Sequence, residues 1–205
     1  MQAIDTIFYI AILIMSVVIH EVSHGFVAEY FGDKTARFAG RLTLNPLKHL
    51  DLFGSVILPI FMYWSFGFAF GWAKPVPYNP DNLRDRKWGT LWVAAAGIIS
   101  NIFMAVLFGT LLRFTLGAGL PDGYYFIISS IVLVNLALAI FNLVPIPPID
   151  GSKILFTFLP RSLLGVQEFL ERYSIIIFLI FIFFFSSYLY PVLVYTYKLI
   201  VGVSF

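Results

Sequence analysis

The feature that most constrains this chain is its succession of long apolar runs. Residues 6–19, 52–73, 88–112, 123–149 and 173–197 contain no Asp, Glu, Lys or Arg. The first run continues in helical pattern to residue 31, despite His20, Glu21 and His24. About 20 apolar residues suffice to cross a hydrocarbon core as a helix. Backbone facing lipid must satisfy its hydrogen bonds within its own segment, so helices are the default for these runs. Composition agrees: 60% of the 205 residues are hydrophobic and 12% are charged, against about 25% charged in soluble domains. The chain is expected to be an integral membrane protein forming one unit over 1–205.

Several function classes drop out at once. The absence of cysteine removes disulfide frameworks, iron–sulfur clusters, thiolate zinc sites and cysteine nucleophiles. A net charge of +2, scattered along the chain, is no nucleic-acid footprint. The N-terminus has neither a basic n-region nor a small-residue cleavage site, so no removable signal peptide is expected.

The charges between the runs set an orientation. Eleven of the thirteen Lys and Arg residues lie in 32–51, 71–88 and 150–172, with Arg113 and Lys198 the exceptions. The positive-inside rule puts those three loops on the cytoplasmic side. A single crossing by 52–73 would separate the first two. Gly54, Pro59, Gly67 and Gly71 supply the breakers that a segment dipping in and returning needs. Re-entrance is therefore expected, with the cell membrane of a prokaryote as the setting. The expected fold is all-α: a polytopic helical bundle with helices at about 4–31, 88–113, 123–144 and 173–198, a re-entrant segment over 52–73, and a small membrane-associated β-hairpin. The hairpin is placed at about 35–45, where "TARFAGRLTLN" sets β-branched and aromatic residues around Gly40.

Inside the first helix the sequence reads His20-Glu21-Val22-Ser23-His24. Positions four apart on a helix differ by about 40°, so both imidazoles leave one face, as two ligands of a tetrahedral zinc would. Glu21 is one residue around, within reach of a water at such a site. The bland reading is a pair of buried, hydrogen-bonded histidines. Three ionisable groups within about one turn of a membrane helix are costly, however, and such groups default to function.

A catalytic zinc usually takes three protein ligands and keeps one position open. Glu29 fails as the third, because nine residues from His20 turn it about 180° away. His49 and Asp150 remain. Asp150 follows "NLVPIPP", whose Pro145, Pro147 and Pro148 break a helix and leave polar backbone that is tolerated at membrane depth only where it lines a protein cavity. It can equally be a simple N-cap. Re-entrance favours the ligand reading, because the first helix and 123–144 then run in the same direction. His20, His24 and Asp150 all fall at the cytoplasmic end. His49 more naturally bonds backbone near the interface, and it stands behind Asn142 as a candidate for substrate binding. Asn101 and Asn142 can bond neighbouring helices or, near a zinc, hold substrate or an oxyanion. Asn142 is the better functional candidate, and Gly97 and Asn101 suit close helix packing.

Taken together, the chain resembles the site-2 protease family of intramembrane zinc metalloproteases, in its compact prokaryotic form without a PDZ or CBS domain. The likeness rests on "HEVSH" at 20–24, "LTLNPLKHLDLFG" at 42–54, "GWAKPVPYNP" at 71–80, "AAAGIISN" at 94–101 and "NLVPIPPIDG" at 142–151. It implies one Zn2+ held by His20, His24 and Asp150, with Glu21 as the catalytic base. It also implies substrate binding by Asn142, and an extended substrate paired with a β-element, here the hairpin at 35–45. Ile98 and Leu52 stand where the family usually or often has proline, and neither touches a ligand position.

The expected function is zinc-dependent hydrolysis of a peptide bond within or near a transmembrane segment of another membrane protein, in contact with the lipid bilayer and without nucleic acid. The rival from another class is a proton- or ion-translocating transporter using the same His/Glu/Asp cluster. Three histidines cannot supply the ligand boxes of a diiron desaturase.

Overall fold

A computed structural model describes residues 3–66, 71 and 73–203, and among these residues it is helical with no strand. The elements are α1 (Ala3–Tyr30), α2 (Thr35–Phe38), α3 (Leu58–Phe66), α4 (Arg86–Thr115), α5 (Asp122–Asn142), α6 (Asp150–Phe158), α7 (Leu164–Arg172), α8 (Ser174–Ile180) and α9 (Leu189–Val201). A π-helical stretch Leu52–Ile57 leads into α3, and Phe181–Phe185 with Ser186–Tyr188 joins α8 to α9. Among the described residues, four spans are long and apolar enough to cross a membrane: Ile4–Tyr30, Arg86–Thr115, Asp122–Asn142 and Ser174–Val201. The protein is a multi-pass membrane protein.

Local chemistry sets the ends of these helices. α1 stops at Gly32, whose φ of 109° lets Gly32 N–H reach Glu29 C=O and Asp33 N–H reach Ala28 C=O, both at 2.9 Å. That pairing satisfies carbonyls the helix would otherwise leave open. α4 opens at Asp85, whose carboxylate accepts from Trp88 N–H at 2.9 Å, a favourable charge at a helix N-terminus.

α4 touches α1, α5, α6 and α9. Ala105 and Leu112 of α4, Val132 and Leu136 of α5, and Tyr197 and Val201 of α9 form the buried apolar cluster at one end. α1 and α4 are antiparallel, since His20 lies against Asn101 and His24 against Val93. α5 runs parallel to α1: Ser16 meets Asn135, and the chain just beyond α5 brings Asp150 to His20. The C-terminal ends of α1 and α5 and the N-terminal end of α4 therefore gather at one end of the bundle. Arg84 N–H donating to Phe31 C=O at 2.8 Å ties two of them together.

One expectation needs correction. The β-hairpin at 35–45 is absent. Asp33 precedes a helical turn and accepts the Thr35 N–H and hydroxyl, and Arg37 pairs with Glu29 on α1. Gly40 does adopt a positive φ of 64°, but as the end of that turn, with its own N–H bonded to Arg37 C=O and Arg41 N–H bonded to Ala36 C=O, both at 2.9 Å. These contacts outweigh the β-propensity of the residues that follow. The dip expected over 52–73 lies only partly within the described residues. Residues 52–66 are helical and span about 22 Å, short of the ~30 Å core; residues 67–70 and 72 lie outside the described set. The flanks of the segment do meet: Lys74 N–H donates to His49 C=O at 2.8 Å.

Candidate metal centre

The centre forms where α1, α4 and the N-terminus of α6 meet. His20 and His24 leave α1 on one face with ring centroids 4.6 Å apart and planes at 86°. Asp150 heads α6, and its Oδ2 lies 3.2 Å from His20 Nε2 and 3.0 Å from His24 Nε2. Gly151 makes this approach feasible, since a Cβ there would sit 2.4 Å from the Leu143 carbonyl oxygen. Gly97 does the same for the imidazole, a Cβ at that position falling 2.5 Å from His20 Cε1. The packing role expected of Gly97 thus acts directly on the His20 ring.

The outward nitrogens fix the inward ones. His24 Nδ1 is 2.6 Å from Val93 C=O; a carbonyl only accepts, so Nδ1 carries the proton and Nε2 offers a lone pair. His20 Nδ1 faces Asn101 Oδ1 at 3.2 Å and is oriented likewise. Two imidazole lone pairs and a carboxylate oxygen then converge, their donor atoms all within 4.8 Å of one another. His20, His24 and Asp150 are only 6–8% exposed. Acceptors facing each other away from water repel unless a cation sits among them. The donor set, two nitrogens and one oxygen, with histidines anchored by outer hydrogen bonds, fits zinc.

The other candidates divide. Glu21 lines the same cavity of about 180 Å³, with Asn142, Tyr78, Pro148 and Lys153. Its Oε2 accepts from Val76 N–H at 2.8 Å. Asn142 Nδ2 donates to Leu138 C=O at 2.9 Å. His49 is not among the cavity's lining residues; it is 1% exposed, and its Nε2 donates to Thr43 C=O at 2.8 Å. Sequence reasoning passed over Lys153, whose Nζ is 3.1 Å from Asp150 Oδ1, although its i+3 spacing from Asp150 was a readable signal. It also passed over the Val93 carbonyl and the Val76 amide, which are backbone groups and carry no residue-type signal.

Charge at the rim is strongly coupled. Burial works to raise the Asp150 carboxyl, and the Lys153 ammonium beside it works to lower it. Burial likewise opposes charge on Lys153, and the neighbouring Asp150 outweighs it, so the ammonium stays protonated above its ordinary value.

Comparison with known proteins decides the family. The model of peptidase family M50 matches residues 8–132 and 120–185. The chain belongs to peptidase family M50. It is 36% identical over 174 residues to "Putative zinc metalloprotease YwhC" of Bacillus subtilis, covering 82% of this chain and 76% of that protein. It is 33% identical over 148 residues to "Putative zinc metalloprotease Rip2" of Mycolicibacterium smegmatis, covering 71% of this chain and 54% of that one. No solved structure gives a significant match. As an M50 peptidase the protein is a zinc metalloprotease of the site-2 protease family, and the ion-transporter reading is set aside.

Proposed function

We propose that this M50 peptidase cleaves a peptide bond inside or beside a transmembrane segment of another membrane protein. The observation that carries the reading is the depth of the centre. His20 and His24 sit within the span Ile4–Tyr30, and at 1.5 Å per residue His24 is about 9 Å and His20 about 15 Å from its end. A scissile bond must come to that depth.

In this reading His20, His24 and Asp150 hold the ion. Bound zinc supplies a Lewis acid for the scissile carbonyl and for activating water. Glu21, in the same cavity, takes the proton of the attacking water and delivers it to the leaving amine, while Val76 N–H holds its carboxylate in place. Val93 and Asn101 keep both imidazoles turned inward. Asn142 lines the cavity with an amide that can bind substrate backbone. A substrate helix must unwind locally, because its carbonyls are otherwise occupied.

The same reading places the centre toward the cytoplasmic face of a prokaryotic cell membrane, with 52–73 entering and leaving on that face. Support comes from the basic loops and from the Lys74–His49 hydrogen bond between the flanks of that segment. The test is cleavage of a single-span model substrate by the purified protein in liposomes, with product ends mapped by mass spectrometry. Cleavage inside the span should stop on zinc chelation and return on zinc addition, and Glu21→Gln should bind zinc without cleaving. Cleavage confined to the substrate's soluble part, or full turnover by Glu21→Gln, would overturn the reading.

A further inference from the structure

Asp150 presents its two carboxylate oxygens to different partners. Oδ2 faces both imidazole Nε2 atoms, at 3.2 and 3.0 Å. Oδ1 faces away from them, to the Lys153 ammonium at 3.1 Å. Lys153 reaches it from one turn along α6, and its ammonium also lies over the Tyr78 ring, with Nζ 5.7 Å from the ring centroid, a cation–π distance. Lys153 also lines both the metal-centre cavity and a neighbouring groove formed by α4, α6 and α7. It thus stands between them, with its side chain 37% exposed.

We propose that Lys153 restricts Asp150 to a single metal-bonding oxygen and so keeps one coordination position open for substrate or water. The inference rests on Asp150 being a zinc ligand. A carboxylate with both oxygens unengaged can bind a metal through either one or both. A second oxygen would fill the place that a catalytic zinc must keep vacant. With Oδ1 committed to an ammonium in a charge-assisted hydrogen bond, the one-oxygen mode is favoured. Lys153 is accordingly a positioning residue, acting through Asp150 and not on the reacting atoms.

This role has an unusual sign. A residue that merely steadies a ligand costs about 10- to 100-fold in metal affinity when removed. Removing Lys153 frees an additional oxygen donor and deletes a positive charge beside a cation, and both changes favour metal binding. Lys153→Met, which keeps the length of the stem, should therefore bind zinc no more weakly than wild type in chelator competition. X-ray absorption of the zinc-loaded variant should show one more oxygen neighbour, and proteolysis should fall although zinc is retained. Lys153→Arg should restore the wild-type coordination. Lys153→Ala, read in the same way, covers any failure of the methionine variant to fold. A tenfold or greater loss of zinc affinity in the Met and Ala variants would reduce Lys153 to a steadying contact and overturn the proposal, as would unchanged coordination. Asp150→Ala, measured in parallel, separates the two levels: retention of zinc there defeats the ligand assignment itself.

Discussion

Replacing Gly97 with alanine tests whether the geometry of the centre governs metal binding. A Cβ on Gly97 would lie 2.5 Å from His20 Cε1 and 2.6 Å from both ring nitrogens, whereas non-bonded carbons rest at about 3.5–4.0 Å. The ring would have to retreat by about 1 Å. It has little freedom to do so, since Nδ1 is bonded to Asn101 and Nε2 faces Asp150. Overpacking of this kind costs about 1–3 kcal/mol, against a gain of about 1 kcal/mol from replacing a helical glycine with alanine. The helix keeps that gain in every metal state, while the displacement falls on His20, a proposed ligand. At about 1.4 kcal/mol per tenfold, zinc affinity should drop roughly 5- to 150-fold. Gly109→Ala is the matched control. Its Cβ would be just as crowded, 2.5 Å from Ile200 Cγ2, but it lies on α4 about 18 Å from Gly97 along the axis and meets the branch methyl of an apolar side chain instead of the His20 ring. It should lower the thermal midpoint and leave zinc binding unchanged. Chelator competition and thermal unfolding on both detergent-purified variants give the answer. Zinc affinity within about twofold of wild type in Gly97→Ala, equivalent to less than about 0.5 kcal/mol, would refute the argument that this glycine makes room for the ligand.

Three further outcomes are expected. Asp150→Ala should lose most of its zinc while His49→Ala keeps it, because His49 holds the Thr43 carbonyl outside the cavity; the reverse pattern in metal content would exchange their roles. Asp33 is fully buried; burial works to raise its carboxyl, yet hydrogen bonds from Thr35, Asn82 and the Asn79 amide hold it below the ordinary range. Its stabilisation should be complete above about pH 4 and fade as pH falls through the lowered value. Asp33→Asn should cost about 1–3 kcal/mol near neutrality and flatten the acid side of the unfolding profile, so an unaltered acid midpoint would count against the latch between α1 and the 79–82 loop. With no native cysteine, single cysteines at Lys48, Asp81 and Ser162 should react with an impermeant thiol reagent from the cytoplasmic side and one at Gly119 only from outside. Labelling of position 81 from outside would reverse the assigned topology.

What the sequence determined by itself was what depends on short-range periodicity and on solvent. The apolar runs marked the membrane helices because transfer of apolar side chains to lipid needs no partner. The spacing of His20 and His24 put both rings on one face because a helix repeats locally. Asp150 was reachable only through a global argument, the tally of basic loops that sets helix direction, and the fold brings it to the two histidines across 130 residues. The hairpin misreading has a local cause: a glycine with positive φ suits a hairpin turn as well as the end of a helical turn, and the Asp33–Thr35 contacts and the pairing of Arg37 with Glu29 select the latter. The tertiary structure alone decided the outer ring of the centre. Val93 contributes a carbonyl and Val76 an amide, groups every residue has, so nothing in the sequence distinguishes them. Gly97 becomes a site residue only because α1 crosses α4 at the His20 ring. Ligand identity is written in residue types, whereas ligand orientation arises from packing between helices far apart in the chain.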